Sequence, residues 1–174
     1  PSGPPHLYMV NDMAEKQPNT RFEESGGGLY KIKGGIGHSD WSADGMQPHL
    51  ADKMLEYLDE NKDSDKPFFL YMALTAPHIP LFPSKEFKGK SKIGDYGDLV
   101  MMIDDIVGRV NRKLKEIGKY DNTIVMFAAD NGCAGYINMD RINRKGHYPS
   151  YIYRGYKSHG WEGGHRIPFI LSWG

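Results

Sequence analysis

Two stretches of the chain carry apolar residues at helical spacing. In residues 47–61 and again in residues 95–117, apolar side chains recur every third or fourth position, a pattern that predicts amphipathic helices. Gly118 directly follows the second stretch and is typical of a helix stop. The apolar positions are Leu50, Met54 and Leu58 in the first stretch and Leu99, Ile103, Ile106, Val110, Leu114 and Ile117 in the second.

Three apolar runs without helical spacing predict strands. They are residues 67–74 (PFFLYMAL), 123–128 (TIVMFA) and 167–173, and continuous runs of this kind suit strands buried on both faces. The order strand, helix, strand, loop, strand is a βαβ unit with an extension. We therefore predict an α/β fold, with a mostly parallel sheet flanked by helices. In such a sheet, ligands bind beyond the carboxyl ends of the strands.

Residues 1–46 give a weaker pattern. They hold one short apolar run at 7–10 and Gly-rich stretches at 25–28 and 34–37, which we interpret as flexible loop. A phosphate-binding loop at 35–37 is a poor interpretation, because no Lys-Ser/Thr follows it. We divide the chain into a loop-rich variable segment, 1–46, and part of a larger domain, 47–174.

Composition excludes several classes of protein. The chain has one cysteine, Cys133, so it holds no internal disulfide and no Cys-rich zinc site. Basic and acidic residues number 22 each, which gives no general attraction to nucleic acid or membranes. No apolar run approaches the roughly 20 residues of a membrane span. No nucleophile stands out either, because there is no GxSxG elbow and Cys133 has no evident base.

Polar residues follow two of the predicted strands. His78 lies on a proline-flanked turn after the first, where it is either a loop histidine capping carbonyls or an acid, base or anion ligand. Asp130 and Asn131 follow the second and offer oxygen ligands to a hard cation such as Ca²⁺. The alternative is that Asn131 and Gly132 close a β-hairpin, which requires a strand directly afterwards. Two ligands cannot complete a calcium shell.

A local excess of positive charge lies in residues 140–166. Six basic residues face two acidic ones there, a net charge of +4, with His147, His159 and His165 in the same stretch. Such a field suits an anionic substrate. The alternatives are a solvated basic loop and, because tyrosines are interleaved with the charge, weak binding of single-stranded nucleic acid.

Four segments, in this order, resemble the sulfatase family of the alkaline phosphatase-like superfamily. They are 67–78 (PFFLYMALTAPH), 96–108 (YGDLVMMIDDIVG), 122–132 (NTIVMFAADNG) and 146–173, which contains an RGxK and an EGGxRxP motif. The resemblance implies an alkaline phosphatase-like fold. It also implies that 47–174 forms part of the sulfatase catalytic domain.

The resemblance also implies roles for individual residues. Asp130 and Asn131 match the family's metal ligands, usually for Ca²⁺, with Mg²⁺ as the alternative. His78 and Lys157 match residues that contact the sulfate, and His78 would protonate the leaving oxygen. A metal, a lysine and a histidine around one sulfate would stabilise the charge of the transition state. Glu162 and Arg166 match a segment that shapes the loop into the next strand, and we assign them no chemistry.

One essential part of a sulfatase does not occur in this chain. Family members use a formylglycine made within a Cys/Ser-x-Pro/Ala-x-Arg motif, and the residues around Cys133 do not fit it. We expect the formylglycine and the remaining metal ligands upstream of Pro1, and a further subdomain after Gly174. The chain would then be a sulfatase fragment, truncated at both ends and inactive alone.

The resemblance leaves the substrate open. The expected partners are a sulfated small molecule or a sulfated glycan, with no nucleic acid and no membrane. The expected compartment is periplasmic, secreted or lysosomal. One alternative is a phosphodiesterase or phosphonate hydrolase of the same superfamily. A second is a non-catalytic polyanion-binding module that uses the basic segment.

Overall fold

The structure is a computed structural model that describes residues 3–174. The chain forms two compact units. The first comprises Pro1–Met54 and Phe68–Ile106, and the second comprises Leu55–Pro67 and Val107–Gly174. The sequence-based division of the chain into 1–46 and 47–174 does not coincide with the boundaries of these units, and it stays a prediction.

Both long helices predicted from the apolar spacing are confirmed. Helix α1 spans Met46–Glu60 and helix α2 spans Asp95–Glu116. Acidic residues lie in the first turn of α2 and basic residues in its last turn, which complements the helix dipole. Gly118 follows α2 with a φ of +67°, a left-handed conformation that suits glycine after a helix. The buried side chains of α2 are Asp98, Leu99, Met102, Ile103, Ile106 and Leu114.

A fully buried carboxylate holds the segment before α2. The backbone N–H groups of Gly89 and Ser91 donate to the Asp98 carboxylate at 2.8 and 2.6 Å. Gly97 allows this segment to approach, because a Cβ there would lie 2.1 Å from the Ser91 hydroxyl oxygen. Gly97 and Asp98 thus serve packing in the first unit.

The N-terminal segment is more ordered than its composition predicts. Strands β1, Met9–Val10, and β2, Met13–Ala14, form one antiparallel pair, and β3, Thr20–Phe22, pairs with β4, Gly35–Gly37. The prediction of a flexible loop at 34–37 is therefore wrong. Its glycines serve close approach, since a Cβ on Gly37 would lie 2.3 Å from the His6 carbonyl oxygen. A 3₁₀ turn covers Gly28–Tyr30.

Two of the predicted strands exist, but their direction and burial differ from the prediction. Strand β5, Ile124–Ala128, pairs with β6, Phe169–Trp173, in antiparallel register, with Ala128 opposite Phe169. Every residue of β6 is exposed. Each sheet within residues 3–174 is a two-stranded antiparallel one, so the predicted parallel sheet is not formed by these residues.

The first of the three predicted strands, residues 67–74, is not formed, so that prediction is wrong. These residues join no strand ladder within the described chain, and Phe69 is 82% exposed. An apolar run predicts burial, but a strand also needs a neighbour whose N–H and C=O groups pair with its own.

Short helices complete the second unit. Helix α3 spans Met139–Arg144 and α4 spans Glu162–His165, with 3₁₀ turns at Tyr120–Asn122 and Gly135–Ile137. Among the residues described, no helix combines the length and apolarity needed to cross a bilayer.

Candidate functional site

A polar turn follows β5 in the second unit. Asp130 is exposed and Asn131 is half-buried, and the Asn131 side-chain amide donates to the Gly132 carbonyl oxygen at 3.0 Å. That bond leaves the Asn131 Oδ1 as an acceptor. The hairpin interpretation of Asn131-Gly132 is wrong, because a 3₁₀ turn at Gly135–Ile137 stands where the returning strand would have to lie.

The loop that carries Lys157 packs directly on this turn. The Lys157 backbone N–H donates to the Cys133 carbonyl oxygen at 2.9 Å, and the Gly132 N–H donates to the Gly164 carbonyl oxygen at 2.9 Å. Cys133 lies only three residues after Asp130 in the same turn. The structure therefore brings Asp130, Asn131 and Lys157 into one region. The sequence does not reveal that the Cys133 carbonyl accepts this bond, because every residue has a backbone carbonyl.

Three glycines allow this contact. A Cβ on Gly132 would lie 1.9 Å from the Gly163 carbonyl oxygen, and one on Gly163 would lie 2.2 Å from the Gly155 carbonyl oxygen. A Cβ on Gly164 would lie 2.1 Å from the His159 carbonyl oxygen. All three neighbours are backbone atoms, which cannot rotate away as a side chain does. The EGG segment thus acts through packing.

Arginine–aromatic contacts order the rest of the basic segment. The Arg154 guanidinium lies 3.9 Å from the centre of the Trp161 ring, and that of Arg166 lies 4.6 Å from the centre of Tyr153. Arg166 also pairs with Glu162 at 3.3 Å across α4. These contacts hold cationic groups near the loop of Lys157.

His78 lies in the first unit, on an exposed turn. Its backbone N–H donates to the Thr75 carbonyl oxygen at 3.0 Å, and its ring Nδ1 lies 2.8 Å from the Ile79 carbonyl oxygen. A carbonyl oxygen only accepts, so Nδ1 carries the proton and Nε2 is the atom that can gain one. This is the ring state that a group able to bind and pass on a proton requires.

The donors at the β5 turn suit a hard cation but form only part of its shell. A carboxylate and an amide oxygen are ligands that Ca²⁺ and Mg²⁺ prefer, and Ca²⁺ takes about six to eight oxygens. No group of three or more His, Cys, Asp or Glu side chains within residues 3–174 is arranged to hold a metal ion. Asp130 and Asn131 therefore fit as two members of a larger ligand set.

A separate charged cleft of about 350 Å³ lies in the first unit. Tyr8 stacks on His49 with ring centres 3.6 Å apart, and His49 pairs with Glu15 at 3.0 Å. Burial raises the pKa of Tyr8, and the charges of Glu15 and Asp44 raise it further. A hydrogen bond from Lys16 lowers the pKa of Asp40 at the cleft rim.

Comparison with known proteins gives a consistent result. Residues 8–174 match the family model described as Sulfatase. The chain is 34% identical to an N-acetylgalactosamine-6-O-sulfatase of Bacteroides thetaiotaomicron over 179 residues, which cover 95% of this chain and 35% of that protein. The chain thus spans about a third of the length of this relative.

Solved structures are similar as well. One, described under glycosaminoglycan metabolism by Bacteroides thetaiotaomicron, is 32% identical with a TM-score of 0.72, over 82% of this chain and 31% of that one. Another, Ps i-CgsB in complex with k-i-k-neocarrahexaose, is 30% identical with a TM-score of 0.61, over 72% of this chain and 27% of that one.

Proposed function

Because the chain belongs to the sulfatase family, we propose that it forms part of the catalytic domain of a sulfuric ester hydrolase. The observation that carries the proposal is the backbone bond from Lys157 to Cys133, which brings an RGxK lysine to an Asp-Asn pair after a strand. The mostly parallel sheet of the alkaline phosphatase-like fold stays a prediction for the whole protein, as do formylglycine and the remaining metal ligands upstream.

Each residue has a definite proposed task. Lys157 binds a sulfate oxygen, and its positive charge stabilises the anionic transition state, in which negative charge develops on the leaving oxygen. Asp130 and Asn131 supply oxygen ligands to Ca²⁺, or alternatively Mg²⁺. A bound cation of this kind polarises the sulfate oxygens. His78 binds sulfate and gives a proton from Nε2 to the leaving oxygen, while Nδ1 stays bonded to the Ile79 carbonyl.

The substrate is proposed from the relatives. The Bacteroides relative is named for N-acetylgalactosamine 6-sulfate, and a solved relative holds a carrageenan-type oligosaccharide. A sulfated glycan is therefore the first substrate class to test, with small sulfate esters second. The proposed compartment is periplasmic, secreted or lysosomal, which cell fractionation with an antibody to this chain tests.

The experiment measures turnover in the whole protein to which this chain belongs. We expect hydrolysis of a 6-sulfated N-acetylgalactosamine, with Lys157→Ala and His78→Ala each lowering kcat about 10²–10³-fold. Exposed Arg144 is the matched control, and Arg144→Ala should keep kcat within about twofold. Cleavage of a phosphodiester but no sulfate ester would instead support the alternative phosphodiesterase.

Metal binding gives a separate test on the 174-residue chain. Because Asp130 and Asn131 supply only two ligands, we expect calorimetry to show no tight Ca²⁺ binding and no change with Asp130→Ala. We also expect no turnover of aryl sulfates by this chain alone. Tight binding that Asp130→Ala abolishes would mean that the chain itself holds a complete site.

A further inference from the structure

A buried polar residue lies on the apolar face of α1. Gln47 is only 3% exposed, and Ala51, Met54 and Leu58 share its face of the helix at exposures of 7% or less. A glutamine in such a place loses its contacts with water and requires hydrogen bonds in return. A polar residue in register with core residues is also visible in the sequence, although nothing there shows its partner.

The side chain of Gln47 holds the turn that carries His78. Its amide Nε2 donates to the hydroxyl oxygen of Thr75, a residue that lies 28 positions further along the chain in the same unit. The Thr75 carbonyl oxygen accepts the backbone N–H of His78 at 3.0 Å. Thr75 therefore links α1 to the backbone of His78: its hydroxyl is bonded to Gln47, and its carbonyl is bonded to the His78 N–H.

The second polar atom of the same amide has no hydrogen-bond partner within residues 3–174. Gln47 Oε1 is buried and makes no hydrogen bond to any residue of the described chain. A buried acceptor without a partner costs free energy, and leucine would fill this place without that cost. The side-chain bond from Gln47 to Thr75 is thus its distinguishing contribution, and that bond ends on the His78 turn.

We propose that Gln47 is a positioning residue for His78, acting through Thr75. The inference rests on the proposed role of His78 in sulfate ester hydrolysis. With the turn anchored to a helix, the His78 ring keeps its Nδ1 on the Ile79 carbonyl and presents Nε2 in one orientation. Without the anchor the turn would open more often, and the ring would exchange between its two neutral tautomers.

The test uses variants that remove the bond from either side. Gln47→Leu removes the donor and keeps the apolar packing, and Thr75→Val removes the hydroxyl and keeps the shape. In the 174-residue chain we expect each to speed hydrogen exchange of the His78 amide about five- to tenfold. We also expect NMR of the His78 ring nitrogens to show a mixture of tautomers. Thr75→Ser keeps the hydroxyl and should behave as wild type.

Coupling separates positioning from core packing. The double variant should exchange no faster at His78 than either single variant, because both remove the same bond. Two results would overturn the proposal: Thr75→Val leaving His78 exchange and tautomers unchanged, or Gln47→Leu speeding the amides of Met102 and Ile103 in the same unit as much as that of His78. Either would make Gln47 a core residue only.

The active protein separates this proposal from the function on which it rests. There Gln47→Leu and Thr75→Val should each lower kcat several-fold, leave KM unchanged and shift the pH profile, whereas Thr75→Ser should keep kcat and the pH profile of the wild type. If His78→Ala leaves kcat intact while Gln47→Leu still loosens the turn, the positioning stands and the role of His78 fails. If His78→Ala lowers kcat and Gln47→Leu changes neither kcat nor the pH profile, the positioning fails alone.

Discussion

The glycine contact beneath the proposed site predicts a large effect for a very small substitution. Gly132→Ala adds one methyl group at a point where its carbon would lie 1.9 Å from the Gly163 carbonyl oxygen and 2.9 Å from the Gly163 carbonyl carbon. Ordinary contact between such atoms needs about 3.4 Å or more. The turn after β5 and the segment at α4 must therefore separate by more than an ångström.

The cost follows from the bonds that this separation breaks. The Gly132–Gly164 bond is 2.9 Å long, so such a shift takes it beyond hydrogen-bond range, and the Lys157–Cys133 bond beside it lengthens as well. Each contributes about 1 kcal/mol, and overpacking adds about 1–3 kcal/mol. Alanine also restricts the unfolded chain more than glycine does, which offsets about 0.4–1 kcal/mol of this loss. We expect a net loss of roughly 2–4.5 kcal/mol in unfolding free energy.

Two measurements test this expectation. Urea denaturation followed by tryptophan fluorescence gives the unfolding free energy, and hydrogen exchange reports the Lys157 amide directly. Gly160→Ala is the matched control, because a Cβ on Gly160 meets nothing within 4 Å although it lies in the same loop. We expect that control to stay within about 0.5 kcal/mol of wild type.

The result that would refute the reasoning is equally clear. If Gly132→Ala unfolds within about 0.5 kcal/mol of wild type, and its Lys157 amide exchanges at the wild-type rate, the turn and the loop are not in contact. A loss of stability without faster Lys157 exchange would place the strain elsewhere in the second unit.

Two further predictions concern the first unit. Asp98→Ala removes the carboxylate that accepts two backbone N–H groups and should cost about 3 kcal/mol in a denaturation experiment, whereas exposed Asp104→Ala should cost little. Because the folded state raises the pKa of Tyr8, its stabilising contribution is present below about pH 10 and is lost as pH rises through the folded pKa. Tyr8→Phe should therefore flatten the fall of stability above pH 10 relative to wild type, and Tyr151→Phe should not; equal slopes for the two variants would contradict the burial of Tyr8.

Helices were predictable because their signal is local. The apolar spacing of α1 and α2 lies within each segment, and the observed bounds fall within one residue of the prediction at each end. Strand pairing depends on neighbours far along the chain. Residues 67–74 have the composition of a buried strand, yet the described chain supplies no strand beside them.

The candidate site was predictable to a different degree. Residue types and order indicated Asp130, Asn131, Lys157 and His78 through a family resemblance. The contacts that arrange them use backbone carbonyls and the absence of a Cβ, and these features look alike in any glycine-rich loop. Gln47 is intermediate, because its place on an apolar helix face is a signal but its bond to Thr75 joins distant residues.

The direction of β6 follows from the same glycine contact. A parallel β6 would require the connection after β5 to return the chain to the N-terminal end of β5. Instead, the Gly132–Gly164 bond holds the end of the connection beside the end of β5. From there β6 can pair with β5 only by running back along it, which places Phe169 opposite Ala128 and Trp173 opposite Ile124. The contact that brings Lys157 to the Asp130 turn therefore also sets the strand direction, and a variant that breaks it should loosen both.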